Sequence, residues 1–559
     1  MHRMTSLPTK VSHHNHNAQV ELRAGKLMAR IESGTIFPIK GTHLIPGDQI
    51  SYPDETLLSR TEQPGLGIVR SCLDDTCILY IASLPPCDFS PIINGKYESG
   101  TRIIIWFHSD GTYSIHGVYS FLPNEDVPCL LQLYQLQLQK RPEILTETQT
   151  VPFYTLPFQD ETELDTFTID PELSVDFDDA ISINVKQQLI YIHIVKLSDL
   201  SYEEHERMRN LCFSLYLSNE HTEHLLDTNT ASNRLSLVCG EKRDVITIRV
   251  KLDDEGLVSS YDIYPSRIIV KQRFDYDQVQ EMIVQPDCRK DLVWLNHINT
   301  MRSQHIQYQI QLPSIRFSCI RDGTINEDSI RTETMNSSHS MIATAMILAN
   351  MVISQHLHLH GLTIPNRFHE RLRGIKSTSP ISSNIFVDSF ISVKKMARAS
   401  YDIDQRGHFG LGITDYVHFT SPMRRYPDSL VQRILGGELF SSQQLEEEVQ
   451  WINTRSAFCK MIQQLYSNWK IGRYISTLNN TYRVWITSVS KSGVIWYMPS
   501  FSLNGFTHVT RIFPTQYWKW DESKETLQGK NKIIHVGMEC NGIIQHIHPI
   551  SFQIQMDIN

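Results

Sequence analysis

Short apolar–polar alternations dominate the first quarter of the chain. Lys26 to Ile31, Gln49 to Tyr52, Gly67 to Arg70, Cys77 to Ala82 and Arg102 to Trp106 are each strand-length, separated by turn signals such as Pro46-Gly47-Asp48 and Gly95. Strands of this length without a helical period predict small β-barrels of the OB or cold-shock type. One is expected over residues 21–65 and a second, with a linker, over 66–145. Residues 1–20 are polar and His-rich (His13, His14, His16) and read as a flexible tail. Helical spacing first appears, weakly, from Leu130 to Leu138.

From about residue 150 the texture changes. Strands are predicted at Thr166 to Ile169, Ala180 to Val185, Leu189 to Val195 and Val245 to Lys251. Apolar Met341, Ala345, Leu348 and Val352 recur at helical spacing and predict a helix from Ser338 to His358. Further helices are expected over Tyr426 to Leu435 and Gln443 to Leu478. After Asn479-Asn480 the pattern returns to strands, at Tyr482 to Val489, Gly493 to Met498, Ile533 to Met538 and Phe552 to Met556. The predicted fold class is multidomain α+β. A mixed α/β domain over 150–478 is flanked by small all-β OB-type barrels at both ends, the last over 479–559.

Composition adds exclusions. The 559 residues are 41% hydrophobic and 20% charged, which excludes collagen, coiled coil and wholesale disorder. Fifty-two basic against 61 acidic residues give a net charge of −9, so bulk charge does not favour loose nucleic-acid binding. The N-terminus lacks the apolar core of a signal peptide. The apolar run Met341 to Ile353 falls short of the roughly 20 residues of a membrane span. The ten cysteines are scattered, none in a C-x-x-C pair, and read as buried free thiols; Cys72 and Cys77 are the closest two. His356, His358 and His360 read as helix-surface histidines. These features describe a soluble cytoplasmic protein without a membrane partner.

Chemistry concentrates in two segments. The first runs Thr168-Ile-Asp170-Pro-Glu-Leu-Ser-Val-Asp176-Phe-Asp178-Asp179-Ala180, with four aspartates in ten residues between apolar strands. Packed together they repel one another, and they need either solvent or cations. A calcium-binding EF-hand fails, because counting from Asp176 puts Ile181 where glycine is required. A solvated acidic loop and a Mg²⁺ or Mn²⁺ site both remain open on these residues alone. The second segment ends Phe419-Thr-Ser421-Pro-Met-Arg424-Arg425-Tyr426-Pro-Asp428. A turn carrying two arginines into a helix start suits an anion; surface ion pairing is the plainer alternative.

The two segments together resemble the hallmark motifs of the ribonuclease II/ribonuclease R (RNB) family, Ile-Asp-Pro with Asp-x-Asp-Asp-Ala and Phe-Thr-Ser-Pro-x-Arg-Arg-Tyr-x-Asp. Weaker matches lie between them, at Tyr191-Ile-His-Ile, Ser214-Leu-Tyr216-Leu, Arg273-Phe-Asp-Tyr276 and Met346-Ile-Leu-Ala-Asn350. The resemblance implies a processive 3′→5′ exoribonuclease that releases nucleoside 5′-monophosphates from single-stranded RNA. It assigns Mg²⁺, with Mn²⁺ able to substitute, to Asp170, Asp176, Asp178 and Asp179, with Asp178 indispensable. Arg424 would clamp the scissile phosphate, Tyr216, Tyr276 and Phe317 would stack on bases, and Arg425 would bind RNA.

The chain also departs from the family pattern. His193-Ile-Val-Lys196 stands where His-Ile-Ala-Asp is common, Ala343-Thr344 replaces a Glu-Glu pair, and Asn468-Trp469 stands where a late-helix Glu is expected. A catalytically silent RNA-binding member and a small-molecule phosphoesterase are the competing readings. With no Lys-rich C-terminal tail and no added N-terminal nuclease domain, a compact, ribonuclease II-like monomer is expected. The net −9 is compatible with RNA if positive charge is confined to a channel, for which Lys394, Lys395, Arg398, Arg424 and Arg425 are candidates.

Overall fold

The computed structural model describes residues 16–559 apart from 24–25, 40–43, 84–89, 139–146, 149–150, 198–199, 219–220, 305–309, 311, 371–381, 383, 395, 479–480, 515–516 and 548–553. His13, His14 and Lys395 therefore lie outside the described residues, whereas His16 already belongs to a strand.

The first antiparallel sheet comprises β1 (His16–Arg23), β2 (Lys26–Ile31), β3 (Ile36–Pro38), β4 (Gln49–Tyr52) and β5 (Thr56–Ser59), ordered β3-β2-β1-β4-β5. The second comprises β6 (Gln63–Leu73), β7 (Thr76–Ile81), β8 (Ile92–Asn94), β9 (Arg102–Phe107) and β10 (Tyr113–Tyr119), ordered β10-β9-β6-β7-β8. Alternation decides which side faces in. In β7, Cys77, Leu79 and Ile81 are buried while Thr76 and Ile78 are exposed. The tight β6–β7 turn sets Cys72 opposite Cys77, and the two form a disulfide. The expectation of free thiols is thus corrected for this pair, and Cys239 is exposed rather than buried. A spacing of five hides a cross-strand partnership that only hairpin register creates.

Helix α1 (Asp126–Leu136) docks the second sheet onto the rest of the chain. Its buried Asp126 receives three cations: Arg102 of β9, Lys470 Nζ at 2.9 Å and Arg473 Nη1 at 2.6 Å. Two short strands follow, β11 (Glu147–Thr148) and β12 (Gln159–Asp160).

The central sheet contains β13 (Thr166–Asp170), β14 (Asp179–Asn184) and β15 (Leu189–Val195). Helix α2 (Tyr202–Leu211) and the hairpin of β16 (Leu215–Ser218) and β17 (His221–Glu223) come next. They are followed by β18 (Lys242–Leu252) and the 18-residue β19 (Val258–Asp275). β19 pairs antiparallel with β18 along its first part and parallel with β13 along its last, so the sheet closes on itself. Inside runs a buried polar chain: Thr166–Ser182 at 2.8 Å, Ser182–His193 at 3.0 Å, His193–Thr247 at 2.8 Å and Thr247–Ser266 at 2.5 Å. Burial pushes the His193 imidazole down to about 3, so it is neutral.

Helices α3 (Tyr276–Met282) and α4 (Lys290–Ser303), the hairpin β20 (Ser314–Arg316) and β21 (Arg331–Glu333), and α5 (Ser337–Leu359) follow. α5 is the one helix among the described residues apolar and long enough to cross a membrane, and it is largely buried in the core. Its C-terminal end corrects the surface reading of His356. That ring is buried, with Nε2 2.6 Å from the Phe153 carbonyl, while His358 reaches Asp415 at 3.1 Å.

Strands β22 (Asn366–Phe368) and β23 (Ser400–Asp402) flank α6 (Ile385–Lys394). Then come α7 (Tyr426–Leu435), β24 (Glu438–Leu439) and the long α8 (Ser442–Ser476), which opens on a Ser441/Gln444 capping box. The last sheet holds β25 (Thr481–Ser490), β26 (Gly493–Met498), β27 (Leu503–His508), β28 (Glu539–Ile547) and β29 (Ile554–Ile558) as its main strands. Their order is β27-β26-β25-β28-β29, and Thr507 Oγ1 donates to the Met556 carbonyl at 3.0 Å across the gap. The result is a near-closed barrel. The predicted run Ile533 to Met538 is a short bridge of two residues, and the strand itself begins at Glu539.

Candidate active site

Both chemical segments meet where β13 ends and β14 begins. β13 delivers Asp170, the connecting loop carries Asp176 and Asp178, and Asp179 opens β14. The Phe419–Arg425 turn packs over this loop. The Met423 backbone N–H donates to Asp178 Oδ1 at 2.9 Å, and Arg424 Nε lies 3.4 Å from Asp178 Oδ2. Met423 and Arg424 thus share a carboxylate 245 and 246 positions earlier in the sequence.

The turn is itself braced. Ser421 N–H donates to the buried Asp428 Oδ1 at 2.8 Å, and Arg424 Nη2 donates to Ser421 Oγ at 3.0 Å. Ser214 N–H bonds the Arg424 carbonyl at 3.0 Å and Tyr426 N–H bonds the Cys212 carbonyl at 2.8 Å, which ties the turn to the strand that carries Tyr216. Arg424 leaves about half its side chain exposed beside the carboxylates. Arg425 does the opposite. Its Nη2 donates to Asp428 Oδ1 at 2.6 Å inside the fold, and its side chain is mostly buried.

Electrostatically the acidic corner is unfinished. Burial, and after it the charge of Asp178, raises Asp170 to about 7. Burial also raises Asp178 to about 7, against the pull of Arg424 and of the Met423 N–H. Burial and the charge of Asp170 do the same to Asp179. Asp170 Oδ2 is buried with no hydrogen-bond partner among the described residues. Hard oxygens held close together, one of them orphaned, fit a divalent cation. Among the described residues no three acidic, His or Cys side chains converge on one point. Mg²⁺ is commonly held by one or two carboxylates and completed by water and substrate phosphate, and this donor set suits that arrangement. Asp176 stands slightly apart, with His224 Nδ1 3.7 Å from its Oδ2.

The aromatics divide. Tyr216 is partly exposed on β16, edge-on to His224 with 6.4 Å between centroids. Burial raises its hydroxyl to about 12, and the charges of Arg424, Asp176 and Asp178 all act on it. Tyr276, at the start of α3, feels Asp179 and Asp170. Its ring partner is His339, stacked at 3.9 Å. Phe317 stacks on Tyr466 at 6.2 Å and packs between the central core and the C-terminal barrel. His224 and His339 carried no signal in the sequence, because nothing in their spacing marks them. Where the pattern departs, Thr344 and Ser340 hydroxyls both donate to Asn299 Oδ1, at 2.8 and 2.9 Å. Trp469 is buried beneath Arg102, whose guanidinium carbon lies 4.7 Å from the ring centroid.

A family model described as RNB domain matches residues 158–440. Ribonuclease R of Mycoplasma pneumoniae is 25% identical over an alignment of 443 positions that covers 68% of this chain and 61% of that protein. The chain thus spans about three fifths of that relative's length. In fold it is similar to Mycoplasma genitalium RNase R solved in complex with ribose-methylated single-stranded RNA. That match has a TM-score of 0.75 at 17% identity and covers 98% of this chain and 100% of the other. It is also similar to yeast Ssd1, a pseudonuclease, with a TM-score of 0.68 at 14% identity over 92% of this chain and 81% of that one.

Proposed function

This chain belongs to the RNB-domain family, and on that premise we propose that it is a processive 3′→5′ exoribonuclease, hydrolysing single-stranded RNA to nucleoside 5′-monophosphates. The observation that carries the reading is Asp178, held by the Met423 N–H and facing Arg424. It joins the complete aspartate set to a half-exposed guanidinium.

In this reading the residues act as follows. Asp170, Asp178 and Asp179 hold Mg²⁺, with Asp176 beside them, and the cation when bound supplies charge neutralisation at the scissile phosphate. Asp178 accepts from Met423 and stays fixed. Arg424 donates to a non-bridging phosphate oxygen as charge grows in the transition state, an effect whose loss costs ~10²–10³ in rate for comparable donors. Tyr216 and Tyr276 receive bases by stacking, which tolerates any sequence. A monomer in the cytoplasm is part of the same reading.

The test is digestion of a uniformly labelled single-stranded oligoribonucleotide with Mg²⁺, with products resolved to single nucleotides. Release of mononucleotides that Asp178→Asn abolishes supports the reading; intact RNA, or release unaffected by Asp178→Asn, overturns it. A second reading, a silent RNA-binding member, is favoured by one observation: the fold is also similar to that of yeast Ssd1, a pseudonuclease. It predicts tight RNA binding with no product.

A further inference from the structure

The segment between β13 and β14 carries Asp176 and Asp178 but buries little of itself. Glu172, Leu173 and Val175 are exposed, and of its apolar side chains Phe177 alone is buried. One turn is closed internally, by the Ser174 N–H donating to the Pro171 carbonyl at 3.0 Å. A loop with so few buried contacts is not held by packing, yet carboxylates keep a metal geometry only if their backbone is fixed. The hold comes from two residues outside the loop.

Arg273 of β19 stands opposite Thr168 in the parallel pairing with β13, two residues before the loop begins. Its Nη2 donates to the Glu172 carbonyl at 2.6 Å and to the Pro171 carbonyl at 3.1 Å, with the Ser174 carbonyl 3.5 Å away. Its guanidinium carbon lies 5.1 Å from the centroid of the Phe177 ring. One side chain thus gathers the first half of the loop and covers the ring that anchors the second half. Charge-assisted bonds of this kind are the stronger class, and a guanidinium suits several acceptors at once.

Ser236, fully buried just past the helical turn Asn229–Leu235, holds the other end. Its Oγ accepts from the Phe177 N–H at 2.9 Å and donates to the Val175 carbonyl at 3.0 Å. Those two groups flank Asp176, so one hydroxyl fixes the backbone on both sides of that carboxylate. The Leu237 N–H adds a bond to the Phe177 carbonyl at 3.1 Å, and Arg243 Nε donates to the Ser236 carbonyl at 3.0 Å. The bonds of Arg273 and Ser236 go to the main chain of the loop, so both act through the carboxylates they place.

We propose that Arg273 and Ser236 are positioning residues that clasp the loop from Pro171 to Asp178 and so set Asp176 and Asp178 for a divalent cation. This inference rests on the metal assignment in the reading above. The test is Mn²⁺ titration of the full-length protein without RNA, with the free ion counted by its electron paramagnetic resonance signal. Single-stranded RNA binding in EDTA is measured alongside. Arg273→Met and Ser236→Ala should each weaken Mn²⁺ binding by roughly 10- to 100-fold and leave RNA affinity in EDTA at the wild-type level. Arg273→Lys, which keeps a charged donor for the same carbonyls, should bind Mn²⁺ more tightly than Arg273→Met. Wild-type Mn²⁺ affinity in both Arg273→Met and Ser236→Ala overturns the clasp. A parallel loss of Mn²⁺ and RNA binding marks a merely structural role and overturns it as well, as does a wild type that binds no Mn²⁺. Wild-type protein that binds Mn²⁺ but releases no nucleotide from RNA overturns the nuclease reading and not the clasp.

Discussion

The ring of Tyr276 lies flat against the imidazole of His339, 3.9 Å between centroids and 10° from parallel. Neither ring is free to drift. His339 Nδ1 is 2.6 Å from Asn336 Oδ1, and Ser338 Oγ donates to the Tyr276 carbonyl at 2.7 Å. In the proposed reading a base stacks on Tyr276, whose ring His339 backs. His339→Ala should therefore abolish most of the quenching of a 3′-terminal 2-aminopurine RNA bound in EDTA, and His339→Phe should retain it. Tyr276→Ala should weaken short-RNA binding by ~1–3 kcal/mol. Phe317→Ala, which removes a ring stacked elsewhere, should leave the quenching intact.

Asp178→Asn should abolish turnover and yet stabilise the metal-free protein at pH 8. The native carboxyl is raised to about 7 from an ordinary value of 3.8, so the folded state holds its proton more tightly than the unfolded state. Stability from this group is full below pH 3.8 and is lost as pH rises through about 7. The variant keeps an oxygen for the Met423 N–H without that loss, a difference on the order of a few kcal/mol. Urea midpoints in EDTA at pH 5 and 8 check this. Added Mg²⁺ should restore wild-type stability at pH 8 and do little at pH 5.

His193 carries the opposite sign. Its folded value of about 3 lies below the ordinary 6.5, so the unfolded state takes up the proton first. Stability from the neutral ring is present above pH 6.5 and is lost as pH falls toward 3, by up to about 1.4 kcal/mol per pH unit. His193→Gln should show a shallower acid limb than wild type in denaturant titrations from pH 7 to 4.

Asp126→Asn should cost roughly 3–5 kcal/mol, because it strands the buried Arg102 and Lys470 and the mostly buried Arg473 without an anion. Since these residues join the second sheet to α8, limited proteolysis should cut first between the sheet and the central domain. An unchanged melting temperature would refute this role.

Much of the molecule was legible in one dimension. Leu189–Val195, Tyr426–Leu435 and Gly493–Met498 form the elements their periodicity predicts, because a strand or helix with one buried face writes that face into its residue pattern. The four aspartates and the Arg424 turn were also visible, since their chemistry depends on residue type at short spacing. The rest was decided by folding. The length of β19 emerged only because two different neighbours pair with its two halves. Cys72 met Cys77 through hairpin register, and Arg425 turned inward because Asp428 lies one helical turn away and is buried. His339 came to Tyr276 from a separate element. The sequence determined which groups are present and which faces are buried; the tertiary structure alone decided which groups meet, because contacts between distant segments leave no period in the chain.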